Sequence, residues 1–347
     1  MFKKLSALAL CLCLLTFAGC KKGNERLSVD DGDEPSSVSE PAKPTVYKNP
    51  LTGISGISAD KADDRPIAIM INNISTAQPV QSGLTKADIV YETEVEGGIT
   101  RLLAVFQDVT KADKIGSLRS ARYPYVDLAL GHDAVYCHAG LDKKYCGPHL
   151  SGVDDIDFLN NGSKYAQRIK NGLSSEHTLY TPGEKLWSGL KSDGKKTERG
   201  SSEPWVNFAE EDSPVTLANA ANSVSVAFST SYKTVFKYDS AAACYTRYFG
   251  NTQRKDYSTG EAENFKNVFV LLTTIRNYSD NYHREVLLES GDGYYFVNGT
   301  YTQIKWSKGD TENGFKFKNA DGTELTVNPG NSWVCIADKN TSVPVIG

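Results

Sequence analysis

Apolar residues fall along this chain in two rhythms. In the first half they come in short unbroken runs, at 66–71, 89–91, 102–106 and 134–137. Such a run, bounded by turn residues, predicts a strand covered on both faces. Between the last two runs lies 123–130, with Pro124 where a first helical turn would start. Residues 153–190 read as helix and loop, with turns at Asn160-Asn161-Gly162 and Thr181-Pro182-Gly183. Short buried strands alternating with helices predict an α/β layered domain over 64–200. A polar, Gly- and Lys-rich stretch at 191–202 then reads as an excursion or linker. Beyond it the strands are more amphipathic: 223–228, 234–238, 245–249, 268–273, 294–297, 302–306, 315–318, 325–327 and 333–337. Turn pairs such as Asn298-Gly299 and Asp321-Gly322 separate them. The expected class is therefore α+β / α/β, an α/β layered N-terminal domain with a smaller β-rich domain over 201–347.

The first nineteen residues follow a third pattern. Lys3 and Lys4 precede an uncharged apolar run at 5–17, and the small residues Ala18 and Gly19 precede Cys20. That is the layout of a secretory signal peptide. Thirteen apolar residues are too few for a bilayer span, which takes ~20. The segment Phe17-Ala18-Gly19-Cys20 resembles the bacterial lipobox, which implies a diacylated Cys20 as the mature N-terminus. The chain is then expected at the cell membrane, lipid-anchored, on the extracytoplasmic face. Residues 20–63 are rich in Lys, Glu, Asp, Ser and Pro and read as a disordered tether. As a flexible coil, ~43 residues reach roughly 35–40 Å root-mean-square.

Composition narrows the function classes. The 347 residues carry a net charge of −4, and no basic block follows the signal segment, which argues against a nucleic-acid partner. Of seven cysteines, Cys11 and Cys13 leave with the signal peptide and Cys20 takes the lipid. Cys137, Cys146, Cys244 and Cys335 remain, either as the disulfides 137–146 and 244–335 or as four buried thiols.

Polar residues concentrate at the predicted strand ends of the first domain, where open α/β sheets usually bind ligands. Glu92, Glu94 and Glu96 alternate, so a strand would put them on one face. Arg119 and Arg122 are three apart and share a face if a helix starts there. With Arg101 they make a candidate site for phosphate or carboxylate; the alternative is an ion-pair network with Glu92, Glu94 or Glu96. His138, beside Cys137, is either a structural histidine or an acid/base group. The spacing of Cys137, His138, Cys146 and His149 lacks the cleaner pairs of structural zinc sites, so neither metal nor cofactor is expected. The Walker loop, the Gly-x-Ser-x-Gly elbow, His-Glu-x-x-His and Gly-x-Gly-x-x-Gly do not occur.

The runs Arg65-Pro66-Ile67-Ala68-Ile69-Met70-Ile71-Asn72-Asn73, Gln81-Ser82-Gly83-Leu84 with Ala87-Asp88-Ile89-Val90-Tyr91-Glu92, and Ile115-Gly116-Ser117-Leu118-Arg119-Ser120-Ala121-Arg122 resemble the YerB-like bacterial lipoproteins. The resemblance covers about 64–340. It implies a signal peptide, a polar linker and two domains, and it implies no catalytic residues. Two functions are carried forward. The first is an extracytoplasmic, membrane-anchored binding or scaffolding protein of the cell envelope. It would hold an anion near Arg101, Arg119, Arg122, Glu92, Glu96 and His138, or meet an envelope protein partner. The second is an envelope enzyme acting on a phosphorylated lipid or cell-wall glycan, with Glu96 or His138 moving protons.

Overall fold

The apolar runs become the middle of one large sheet. A computed structural model describes residues 46–199 and 203–347; Cys20, the signal segment and residues 20–45 of the expected tether lie outside the described residues. The first four runs are β1 (Ile67–Asn72), β2 (Ile89–Glu94), β3 (Thr100–Phe106) and β4 (Val135–His138), followed by the short β5 (Asp155–Asp157). The second half supplies β6 (Ser223–Ala227), β7 (Lys233–Asp239), β8 (Cys244–Phe249), β9 (Asn267–Thr273), β10 (Ser290–Val297), β11 (Thr300–Ser307) and β12 (Ser332–Asp338). The sheet runs β11-β10-β9-β12-β2-β3-β1-β4-β5 and is extended by two short strands. The late strand β12 lies parallel to β9 on one side and to β2 on the other, with Ser332 opposite Ile89. Thr93 Oγ1 donates to the Ile336 carbonyl at 2.8 Å across that seam. Both halves of the chain therefore share one hydrogen-bonded sheet.

Each central strand feeds two cores by alternation. Ile67, Ile69 and Ile71 of β1 enter one, Ala68 and Met70 the other. The three isoleucines are at most 1% exposed and contribute ~5–9 kcal/mol by burial. A second sheet of β8-β7-β6 closes the first core with Val224, Phe236 and Tyr245. Leu186, Trp187 and Leu190 of helix α2 (Gly183–Ser192) complete it; helix α1 (Tyr123–Leu130) closes the second core with Tyr125, Val126 and Leu128. Pro124 sits in the first turn of α1, where its missing N–H is harmless.

Three expectations change. The described residues are mostly sheet, 39% strand and 15% helix, and the α/β layering expected of residues 64–200 is not borne out. Runs buried on both faces look the same whether helices or a second sheet cover them. Residues 153–190 hold β5 and a strand at Leu179–Thr181 besides the start of α2. Structure also begins before Arg65. Strands at Tyr47–Lys48 and Ser55–Ile57 pair, and Ala59–Asp63 is helical. Asn49 Nδ2 donates to Asp88 at 2.9 Å and Leu51 is 1% exposed, so this polar stretch is pinned by one turn and one apolar anchor.

Candidate functional site

β2 ends at Glu94, and the chain reverses through Glu96-Gly97-Gly98 into β3. Gly97 and Gly98 have φ of +73° and +66°, a conformation that side chains disfavour. The turn folds Glu96 back over two arginines. Arg101 donates to Glu96 Oε1 at 3.0 Å and Arg122 Nε to Oε2 at 2.8 Å, with a further short contact from Arg122. Burial would raise the Glu96 carboxyl, but the hydrogen bond from Arg122 and the charges of both arginines outweigh it and hold it down at about 2. Burial, and the charge of Arg122, lower the Arg101 guanidinium to about 10. Each arginine also donates to a carbonyl at 2.7 Å, Arg101 to Ser120 and Arg122 to Ala121.

The expected trio of arginines is thus split. Arg101 and Arg122 share Glu96, while Arg119 stands apart and meets the exposed Glu176 at 2.9 Å. The space beside Glu96 and Arg122, walled by Tyr145 and Tyr278, is about 10 Å³, room for about one water. The three glutamates also separate. Glu96 lies beyond the strand, and Glu94 pairs with Arg284, 2.9 Å from its Nε. Glu92 is buried among Asn73 Nδ2 at 3.0 Å, Thr100 Oγ1 at 2.8 Å, Thr234 Oγ1 at 3.0 Å and Trp333 Nε1 at 3.2 Å. Burial raises its carboxyl against the pull of Arg247. His138 has a fully buried side chain whose ring nitrogens face two acceptors, Gly140 O at 2.8 Å and Asp155 Oδ2 at 2.9 Å.

Of the two alternatives left open for the cysteines, the structure has the second: Cys137, Cys146, Cys244 and Cys335 are free, buried thiols. Cys137 and Cys146 belong to the two different cores, so the sheet stands between them. Among the described residues no three His, Cys, Asp or Glu side chains converge as metal ligands.

An open cleft of about 520 Å³ lies where the Gly97-Gly98 turn meets two hairpins of the second half. One is the turn between β6 and β7 with Ser229 and Thr230; the other carries Asn277, Asn281, Tyr282 and Arg284. Ser229 Oγ donates to the Gly98 carbonyl at 2.6 Å and ties the first hairpin to the turn. The ion pair of Arg284 with Glu94 ties the second. Tyr278 stacks on Tyr145 with centroids 4.2 Å apart and packs edge-on against Tyr123, fixing the base of that hairpin.

Sequence reasoning missed a further cluster. Arg247 of β8, fully buried, donates to Glu263 Oε2 at 2.7 Å and to Asn73 Oδ1 at 3.0 Å. Its guanidinium lies 4.5 Å from the Trp333 ring centre. The residues come from β8, the segment between β8 and β9, β12 and the loop after β1, so the cluster joins both halves of the chain.

These features define a two-part protein whose halves share one sheet. The chain belongs to a family of unknown function: residues 51–196 match the DUF3048 N-terminal domain and 224–334 the DUF3048 C-terminal domain. It is 29% identical, over 97% of its own length and 96% of the relative's, to a Bacillus subtilis (strain 168) protein named "Putative lipoprotein YerB". The crystal structure of YerB protein from Bacillus subtilis superposes with a TM-score of 0.74 at 27% identity, over 86% of this chain and 99% of that one.

Proposed function

We propose that this chain is a non-catalytic binding protein of the cell envelope, tethered to the membrane through a lipidated Cys20. Its ligand seat is the cleft between the Gly97-Gly98 turn and the two hairpins. One observation carries this reading. Three segments far apart in sequence build the cleft, and its charges pair off internally, yet its rim keeps unbonded polar groups and Tyr282 at 56% exposed. The enzyme reading is weaker, because Glu96 has both oxygens committed to arginines and His138 is buried between two acceptors. An anion reading keeps one supporting observation. The partner of Arg119, Glu176, is 53% exposed, and such surface pairs are worth ~0–1 kcal/mol, so a phosphate could displace it.

A thermal-shift titration of the full chain tests this, with phosphate, pyrophosphate, prenyl diphosphates, muropeptides and neutral oligosaccharides. A ligand at ~100 times its dissociation constant should stabilise the fold by ~2.7 kcal/mol. A shift that disappears in Tyr282→Ala supports the cleft. A phosphate shift that disappears in Arg119→Ala moves the site to the arginine. No shift with any of them counts against a small ligand and favours a protein partner.

A further inference from the structure

The chemistry of the cleft walls selects among ligand classes, and we infer that the ligand is an uncharged glycan. This inference rests on the binding reading above and adds the class of ligand. Arg284 is the only cation among the described residues lining the cleft, and Glu94 neutralises it. Its Nη1 is also in short contact with Asn277 Oδ1. No cationic group is left over to hold a phosphate or a carboxylate.

What remains is neutral and amphipathic. Tyr282 exposes more than half its surface and is steadied edge-on by His283, ring centroids 5.1 Å apart. His283 is itself clamped by Asp280 at 2.7 Å. Asn281, next to Tyr282, has φ of +54°, a strained conformation that asparagine tolerates better than most residues. Its side chain, the Asn277 Nδ2 and the Thr230 hydroxyl carry no hydrogen bond among the described residues, so amides and a hydroxyl face the opening beside an aromatic ring. A sugar ring has the complementary surface: a face of C–H bonds that settles on the electron-rich ring face, and a rim of hydroxyls that exchange hydrogen bonds with amides. Across the cleft Gly97 has open space where a Cβ would stand, which leaves the opposite wall flat. The volume of about 520 Å³ falls within the ~300–1,000 Å³ range of ligand sites. A tether at Cys20 would carry the cleft into the polysaccharide layer outside the membrane.

The test is a calorimetric titration of the full lipidated chain, in a detergent without a sugar headgroup. The probes are a β-1,4-linked N-acetylglucosamine hexamer, a β-1,4-linked glucose hexamer and inorganic phosphate. We expect saturable binding of at least one hexamer, weakened tenfold or more by Tyr282→Ala. Tyr282→Phe, which keeps the ring, should stay within twofold, and phosphate should not compete. Tyr282 is a surface residue, so its loss leaves the fold intact. Hexamer binding that survives Tyr282→Ala would overturn the assignment of the site. Failure of both hexamers would overturn the glycan class. In that case a Tyr282-dependent thermal shift from another ligand would preserve the binding reading, and its absence would end both.

Discussion

Replacing Arg247 by methionine should be among the most damaging single changes in this protein. The side chain is fully buried, and its guanidinium is the counter-charge for Glu263, itself 0% exposed, with Glu92 close by. Methionine fills similar volume, so a cavity contributes little. The loss leaves the Glu263 carboxylate 2.7 Å from where its donor was, with Asn73 Oδ1 also stripped of a bond. Removing one partner of a buried pair costs ~3–5 kcal/mol, against a total stability of ~5–15 kcal/mol. Urea unfolding followed by tryptophan fluorescence reads the change directly, since Trp333 lies against the missing group. Removing the orphaned Glu263 charge should recover much of the loss, because a neutral replacement of a whole buried pair is often close to neutral. Arg247→Met/Glu263→Gln should therefore be at least 2 kcal/mol more stable than Arg247→Met alone, an estimate at the lower part of that range. A loss under ~1 kcal/mol, the scale of an exposed ion pair, would refute the reasoning. So would a double variant no better than the single one.

Glu96→Gln removes the negative charge between Arg101 and Arg122 and turns one of its two acceptor oxygens into a donor, and should cost about 2–3 kcal/mol at pH 7 by chemical denaturation. The Glu96 carboxyl is held at about 2, below its usual value of 4.5, so its stabilisation is complete above 4.5 and disappears as pH falls toward 2. The variant should lack that part of the acid-side decline. Gly183→Ala would place a Cβ 1.9 Å from the Val109 carbonyl oxygen. It should lower stability by ~1–3 kcal/mol through overpacking at the start of α2, visible as a lower melting temperature. In the folded mature chain the four thiols, all buried and with pKa raised by burial, should not react with a thiol reagent, whereas all four should react after unfolding. A reducing agent should leave the melting temperature unchanged.

How far the sequence could be read depended on whether an interaction was local. The central strands were legible because unbroken apolar runs such as 66–71 have few other uses. Helix α1 was legible to the residue, with Pro124 in its first turn. The covering layer was not legible, because the unbroken apolar run of β1 says that both faces are buried and not what buries them. Nothing near residue 90 announces that β12, more than 240 positions later, is its neighbour. The glutamate pattern misled because the alternation rule holds only inside a strand, and β2 stops at Glu94. Arg101, Arg122 and Glu96 were singled out as candidate ligand or proton-moving groups, with an ion-pair network as the alternative, and in the structure they pair with one another. The cleft needed Tyr282 and Asn281 from a hairpin brought beside the Gly97-Gly98 turn by that same distant pairing. Arg247 was passed over because an arginine in a strand of alternating residues looks solvent-facing until a partner such as Glu263 is placed against it.

The most direct test of a membrane-tethered protein with its ligand seat at the Tyr282 cleft is photo-cross-linking in living cells. A photoreactive phenylalanine derivative would replace Tyr282 in the lipid-anchored chain, with Tyr257, also exposed at 43%, as the control position. The account predicts an adduct at 282, absent at 257, that depends on an intact Cys20. An equal yield at both positions, no adduct at 282, or an adduct indifferent to Cys20→Ala would contradict it.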